Sequence, residues 1–575
     1  MKKFVVLIAF LFTLAEHISA QNYLFKDGQS EYSIVVPAET SLTEQTAALE
    51  FQKYIHQISG AMIPIVRLPK PSAKHIFIGY HDEIGKMVGV NRPDVDDESF
   101  TYMTLDDDLF IYGGSNRGTM FGVFFFLEHE LGVHWYAGDF TKIPRLNQFR
   151  LKAVKHTEAP AFNYRLDYFY QAVKDKAWMA HNLLNSNHIF SSSQYGMLFS
   201  VRGIHSFGKL IPPSVYFKRH PDYFGVYKGQ RSAKTQLCLS NNMMCRELIK
   251  NLKNEIRENP GYWCYDVSQN DNRFPCECSR CNTLVKKYGG QSGILIWFVN
   301  KVASEIKKTY PNLYVSTLAY QYTRQTPASS IKPADNVIIR LCDTECCQAH
   351  PLDECVENKK FVHDVAGWRN ITNNITIWNY STGFRHYLMP FPNFDVISRN
   401  YQFFSKSGVL GVLELGSWNA PWSEFSELKQ WLVAKLLWNP KLDTDSLSSL
   451  FINDYYGQAA PFVRDYYDLC RRQVTDDMHF TVGVEWDTKL YDDQFFADAS
   501  ALMNEAIAAG RDMETKKRVN RLAAQVYYLQ LRRQTSQAFA NGTADKLRNI
   551  LKVDSTLIGE YKGDVEKLLH DLSYY

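Results

Sequence analysis

The chain has 575 residues, 45% hydrophobic and 22% charged, which excludes a disordered or fibrous protein and, at about 100–200 residues per domain, predicts three or four domains. Its 64 Lys and Arg against 61 Asp and Glu leave a net charge of +3, so the basic footprint of a nucleic-acid binder is missing. Aromatic residues reach 14%, enough for a large core and also for ring platforms on which the C–H faces of sugars stack.

In chain order, Lys2 and Lys3, an apolar run over 5–15 and Ile18-Ser19-Ala20 before Gln21 read as a signal peptide over 1–20. No cysteine follows its cleavage site to take a lipid, and no other run reaches the ~18 apolar residues of a spanning helix. An exported protein, periplasmic or secreted and without a transmembrane segment, is expected. Residues 22–155 read as an α+β domain, with alternating strands at 32–36, 75–79 and 109–113, a helical period over 43–58 that stops at Gly60, and an apolar helix within 116–135.

Across 160–420 short β-rich runs alternate with helical stretches, the pattern of βα units around a parallel sheet. Eight candidate strands fall at 164–170, 187–191, 235–240, 262–269, 313–320, 336–342, 375–380 and 409–415. Beyond 421 the strand signal ends and amphipathic helices follow at 424–438, 444–456, 459–473, 492–509 and 514–540. The predicted fold class is therefore α/β: a (β/α)8 TIM barrel over 160–420 between an N-terminal α+β domain (22–155) and a C-terminal α-helical domain (421–575).

A barrel carries its functional groups at the C-terminal ends of its strands. There the sequence offers Asn270 and Asp271 after strand four, Glu345 after strand six and Glu414 at strand eight, with Arg165 and Asp167 on strand one, Tyr320 and Tyr322 after strand five, and Trp378, Tyr380 and Trp418 near the last two. Carboxylates flanked by aromatic rings suit glycosidic cleavage, which needs an acid for the leaving oxygen and a second group to stabilise positive charge at the anomeric carbon. Asp271, Glu345 and Glu414 are the catalytic candidates; each also has a structural reading, as a helix cap or the partner of an arginine. A long loop after strand two, with His205, either shapes subsites or forms a structural flap.

Eleven cysteines are an odd number, so at least one thiol is unpaired within the chain. Cys276, Cys278 and Cys281 follow Asp271, and Cys346, Cys347 and Cys355 follow Glu345. Three thiolates of the first group with one from the other loop suit a tetrahedral zinc that pins two loops together; export favours disulfides or packed free thiols instead. No cofactor and no catalytic metal is expected.

Further motifs carry a family resemblance. The stretch 117–136, from Arg117-Gly118-Thr119 to Gly132-Val133-His134-Trp135-Tyr136, resembles the domain that precedes the barrel in α-glucuronidases and β-hexosaminidases. Gln236-Leu237-Cys238-Leu239, Ser268-Gln269-Asn270-Asp271 with the three following cysteines, Leu318-Ala319-Tyr320-Gln321-Tyr322-Thr323, Glu345-Cys346-Cys347, Pro390-Phe391-Pro392-Asn393 and Lys435-Leu436-Leu437-Trp438-Asn439-Pro440 resemble, in that order, glycoside hydrolase family 163, first catalogued as a domain of unknown function. The resemblance covers most of 160–460. It implies an endo-acting β-N-acetylglucosaminidase of the kind found in gut Bacteroidetes, cutting the GlcNAc–mannose bond of complex N-glycans with retention, the substrate's 2-acetamido group attacking the anomeric carbon. Asp271, Glu345 and Glu414 stand in matching motifs, although Glu414-Leu415-Gly416 replaces a commoner Glu-Gln-Gly, and acid and orienting group are not assigned among the three. Arg165, His205, Asn270, Tyr320, Tyr322, Trp378, Tyr380 and Trp418 are the expected substrate-binding residues. Two alternatives stand beside this reading: an α-glucuronidase-like exo-glycosidase, whose uronate would need a cation such as Arg340, and a glycan-binding protein without catalysis.

Overall fold

The computed structural model describes residues 22–36, 39–70, 73–187, 191–328, 330–420, 422–485, 488–533, 542–554 and 562–571; the signal-peptide reading of 1–20 lies outside them. The chain divides into two compact units, 1–127 with 143–157 and 128–142 with 158–575.

The first unit is built on a six-stranded sheet. Its helix Leu42–Ser59 starts where Ser41 and Glu44 exchange side-chain-to-backbone hydrogen bonds and stops at Gly60, whose φ of 81° is a conformation glycine adopts without strain. Ala47, Phe51, Ile55 and Ile58 share one face of that helix and are buried. Most of helix Gly118–His129 belongs to this unit; it is apolar on every side, with Phe121, Phe124, Phe126 and Leu127 inside.

The second unit holds a parallel sheet of eight strands: β1 (Tyr164–Tyr168), β2 (Ser186–Asn187), β3 (Leu198–Arg202), β4 (Tyr262–Asp266), β5 (Tyr314–Ala319), β6 (Val337–Cys342), β7 (Ile375–Tyr380) and β8 (Gly411–Leu415). The hydrogen-bonded order β1-β8-β7-β6-β5-β4-β3-β2 curls into a nearly closed barrel. At the seam an amide side chain replaces the ladder: Asn185 Nδ2 donates to the Asn163 carbonyl at 2.7 Å, and its Oδ1 accepts from Arg165 N at 3.1 Å. Gly411 opens β8 against β1, where a Cβ would meet the Tyr164 carbonyl at 2.0 Å, so only glycine fits.

Alternation along each strand sorts the side chains. Tyr164, Cys264 and Arg340 point inward, and Tyr164 OH reaches Ser200 Oγ at 2.5 Å across the interior. Asp167, Glu414 and Asn379, paired across β1, β8 and β7, point outward to the helix layer. Helices Asn242–Glu258, Gln291–Thr309, Lys359–Arg369, Phe394–Lys406 and Ser426–Trp438 follow β3, β4, β6, β7 and β8. Thr444–Tyr456, Ala460–Arg471, Asp493–Ala509, Met513–Arg533, Thr543–Val553 and Lys562–Asp571 continue the chain as helices. Buried Arg521 bonds Glu427 at 2.8 Å and Asp139 at 2.7 Å, which satisfies its charge and ties Met513–Arg533 to Ser426–Trp438. Among the described residues no helix is long and apolar enough to cross a membrane.

One predicted strand is misplaced. The third barrel strand is Leu198–Arg202, and 235–240 lies in the loop that leaves it. There Leu237 makes only an isolated bridge to Phe224, because Gln236 and Cys238 spend their side chains on the neighbouring β4 loop.

Candidate active site at the carboxyl end of the barrel

The loop after β4 carries Asp271 into solvent on a clamped backbone. Gln236 Oε1 accepts from Asn270 N at 2.9 Å, and its Nε2 donates to the carbonyls of Asn270 and Asn272 at 2.8 and 3.1 Å. Asn270 accepts from Gly208 N at 2.7 Å, so it serves as a loop brace. The Tyr320 hydroxyl donates to Asp271 Oδ1 at 3.2 Å and accepts from Gln321 Nε2 at 2.8 Å, while Arg273 Nε holds Gln321 Oε1 at 2.9 Å. Burial first, and the Asp271 charge second, push the Tyr320 phenol well above its usual range; it stays protonated and remains a donor.

His205 sits beside Tyr320, with ring centroids 5.8 Å apart. Its φ of 50° turns the ring back over the β4 loop, and Nδ1 lies 2.7 Å from the Gln269 carbonyl. A carbonyl can only accept, so Nδ1 carries a proton, and in the neutral ring Nε2 presents the lone pair.

Glu345 stands at the end of β6 with 39% of its side chain exposed, and Arg324 Nη1 reaches its Oε2 at 2.8 Å. Arg324 divides its charge, since Nε bonds buried Asp364 at 3.0 Å. Next to Glu345, Thr344 Oγ1 donates to Tyr380 OH at 3.1 Å. Burial, with Cys342 beside it, raises the Tyr380 phenol far above its ordinary value. Trp418 is 46% exposed and stacks on Tyr168 at 6.0 Å, a ring platform at the rim.

Other predicted residues lie elsewhere. Glu414 is fully buried behind the barrel wall, where its Oε2 accepts from Tyr401 OH at 2.6 Å and Asn379 Nδ2 at 2.7 Å. Burial pushes its carboxyl up to about 7. Asp167 and Asp343, also fully buried, are raised first by burial and further by Glu414. Arg165 is spent on structure, donating to the Leu183 and Phe162 carbonyls under the Trp438 ring. Tyr322 lines a small cavity behind the β4 loop with Gln236, Gln269, Cys276 and Ile294. Trp378 is inside the barrel beneath the rim, 4.5 Å from the Arg340 guanidinium, which also faces Asp266 at 3.8 Å.

The cysteines form two separate groups. The fourth sulfur beside Cys276, Cys278 and Cys281 is Cys238, from the loop after β3, and no thiol of the β6 loop joins them. Cys347 and Cys355 meet His350 and His479 instead, while Cys346 is buried beside Arg324 and Asp343. Sequence reasoning missed Cys238, His479 and Arg324. Cys238 stood in a quoted motif as part of a strand, and His479 lies 124 residues beyond Cys355 with no spacing signal.

The model of the family described as "Domain of unknown function (DUF4838)" matches residues 135–468. No curated protein matches the chain. Among solved structures, the 4-O-methyl-α-glucuronidase BtGH115A, described as a novel GH115 enzyme with specificity for decorated arabinogalactans, is similar with a TM-score of 0.59 at 11% identity, over 93% of this chain and 78% of that one. The Flavobacterium johnsoniae chitobiase FjGH20 gives a TM-score of 0.47 at 12% identity, over 96% and 90%. At such identities the first likeness is one of fold.

Proposed function

Since the chain belongs to the DUF4838 family, whose segment here spans the barrel, we propose that it is a glycoside hydrolase in which Asp271 and Glu345 carry the chemistry. One observation supports this reading above the rest: of the three strand-end carboxylates, the two that reach solvent are each held by one polar partner, Tyr320 or Arg324. That is the pair of groups glycosidic cleavage requires.

The Tyr320–Asp271 couple offers a hydroxyl donor beside a carboxylate acceptor. A 2-acetamido group suits that complement by replacing the Tyr320–Asp271 hydrogen bond: its N–H donates to Asp271, and the released Tyr320 hydroxyl donates to its carbonyl oxygen as that oxygen attacks the anomeric carbon. Glu345, in its protonated form, gives a proton to the leaving oxygen and recovers one from water; it is the open carboxylate not engaged by a phenol, and its arginine is shared with Asp364. His205 Nε2 accepts a sugar hydroxyl, and Trp418 stacks under a ring. The finer reading follows the resemblance to family 163: an exported endo-β-N-acetylglucosaminidase that cuts the GlcNAc–mannose bond of complex N-glycans with retention. Its proposed organisation is a signal peptide over 1–20, an N-terminal domain over 22–155, a catalytic barrel over 160–420 and a helical domain over 421–575.

A second reading, an α-glucuronidase-like exo-glycosidase, has its own support. Buried Arg340 has an Nη2 without a hydrogen-bond partner among the described residues, a cation at hand for a uronate, and one solved structure of similar fold is that of a 4-O-methyl-α-glucuronidase. Incubation with a desialylated biantennary N-glycan, products read by mass, decides. Release of a galactose–GlcNAc disaccharide supports the first reading; cleavage only of a glucuronic-acid-capped oligosaccharide supports the second, and silence on both sinks the hydrolase proposal.

A further inference from the structure

We propose that the chain binds two structural zinc ions, one clipping the loop that carries Asp271 and one clipping the loop that carries Glu345.

In the first cluster Cys238, Cys276, Cys278 and Cys281 bring their sulfurs within 4.8 Å of one another. Cys238 Sγ is 3.8 Å from Cys278 Sγ and 3.8 Å from Cys281 Sγ. A tetrahedron of Zn–S bonds of about 2.3 Å has sulfur–sulfur edges of about 3.8 Å, whereas a disulfide needs about 2.05 Å. The local fold supplies compensation for four thiolates. Cys278 stands at the N-cap position of helix Ser279–Tyr288 and Cys281 lies in its first turn, where the helix dipole favours negative charge. Val226 N donates to Cys276 Sγ at 3.5 Å.

The second cluster has different donors and the same arithmetic. His479 Nδ1 lies 3.3 Å from Cys347 Sγ and 3.7 Å from Cys355 Sγ, and His350 Nδ1 is 3.7 Å from Cys347 Sγ. A zinc with bonds of about 2.3 Å to sulfur and about 2.05 Å to nitrogen has sulfur–nitrogen edges of about 3.6 Å. An outer contact fixes the tautomer: His350 Nε2 lies 3.2 Å from the Thr475 carbonyl and must donate to it, so the Nδ1 lone pair is turned to the cluster. Ala349 N donates to Cys347 Sγ at 3.4 Å. In the second group a disulfide would use both cysteines and leave His350 and His479 facing each other without a task.

Each clip sits directly behind a carboxylate, Cys276 five residues after Asp271 and Cys347 two after Glu345. The second also ties the chain around His479 to the β6 loop, where Gln348 N donates to the Phe480 carbonyl at 2.8 Å. Zinc binding depends on the two clusters alone, whatever the reaction at the rim.

The test is elemental analysis of the full chain, purified without a metal-affinity tag and dialysed against metal-free buffer. About two zinc per chain are expected, falling to about one in Cys281→Ser and in His479→Ala. Zinc-edge X-ray absorption of the unaltered protein tests the assignment even if a variant does not fold: two zincs share six sulfur and two nitrogen neighbours. Absence of zinc, with thiols lost to disulfides in the non-reduced mass, overturns the proposal. One zinc in an all-sulfur shell overturns the second site.

Discussion

The rim of the barrel and the outer side of its wall hold the same residue type in opposite circumstances. Asp271 and Glu345 stand in solvent, each steadied by one polar partner. Asp167, Glu414 and Asp343 lie within the wall at 0% exposure, and burial favours their neutral forms. What separates the sets is place along the chain and face: Asp271 and Glu345 lie in the loops beyond β4 and β6, whereas Asp167 and Glu414 lie within β1 and β8, and Glu414 follows Leu413 by one position, which in a β-strand is the difference between the barrel interior and the helix layer. A carboxylate near a strand end is therefore a catalytic candidate only once its face is known.

The comparison breaks most visibly in turnover. Asp271→Asn and Glu345→Gln are each expected to lower kcat by about 10²–10⁴-fold while glycan affinity is retained, measured by product mass and by calorimetry on the same glycan. Equal turnover in both variants would remove the rim site. Tyr320→Phe deletes the hydroxyl that Asp271 accepts; a hydrogen bond to a charged group is worth about 1.5–3 kcal/mol, so kcat is expected to fall about 10–100-fold with little change in KM.

On the wall side the expected effect is on stability. The folded carboxyl of Glu414 is raised from 4.5 to about 7, with Asp167, Asp343, Tyr401 and Lys429 as its charged or titratable neighbours. Below pH 4.5 it is protonated folded and unfolded alike; between 4.5 and 7 only the unfolded chain releases the proton, so stability falls as pH rises through that window and levels off above it. At about 1.4 kcal/mol per unit the contribution is on the order of 3 kcal/mol. Glu414→Gln should flatten this slope in denaturant melts at pH 5 and 8 and keep turnover within about threefold. The smallest effect belongs to Trp418→Ala, a rise in KM of a few fold with kcat unchanged, since an exposed ring contributes stacking and no chemistry.

The sequence carried the barrel further than the site. Strands such as 375–380 and 336–342 were legible because their apolar runs are dense and bounded by turn residues. Leu198–Arg202 was not, because Ser200 and Arg202 dilute its apolar signal, and the richer run at 235–240 competed for its place although Gln236 uses it as a loop clamp. The rim positions of Asp271, Tyr320 and Glu345 were legible because loop polarity is local information. Arg165 and Tyr322 were read as sugar ligands from strand position and the family resemblance; the structure engages Arg165 with the Leu183 carbonyl and sets Tyr322 in the lining of a cavity behind the β4 loop. Cys238 and His479 required knowledge of which distant loops meet.

The most direct measurement sets Glu345→Gln beside Glu414→Gln on a desialylated biantennary complex N-glycan, with released disaccharide read by mass. A silent Glu345→Gln enzyme and an active Glu414→Gln enzyme are expected. An active Glu345→Gln with a silent, folded Glu414→Gln would place the chemistry behind the wall and contradict the rim site.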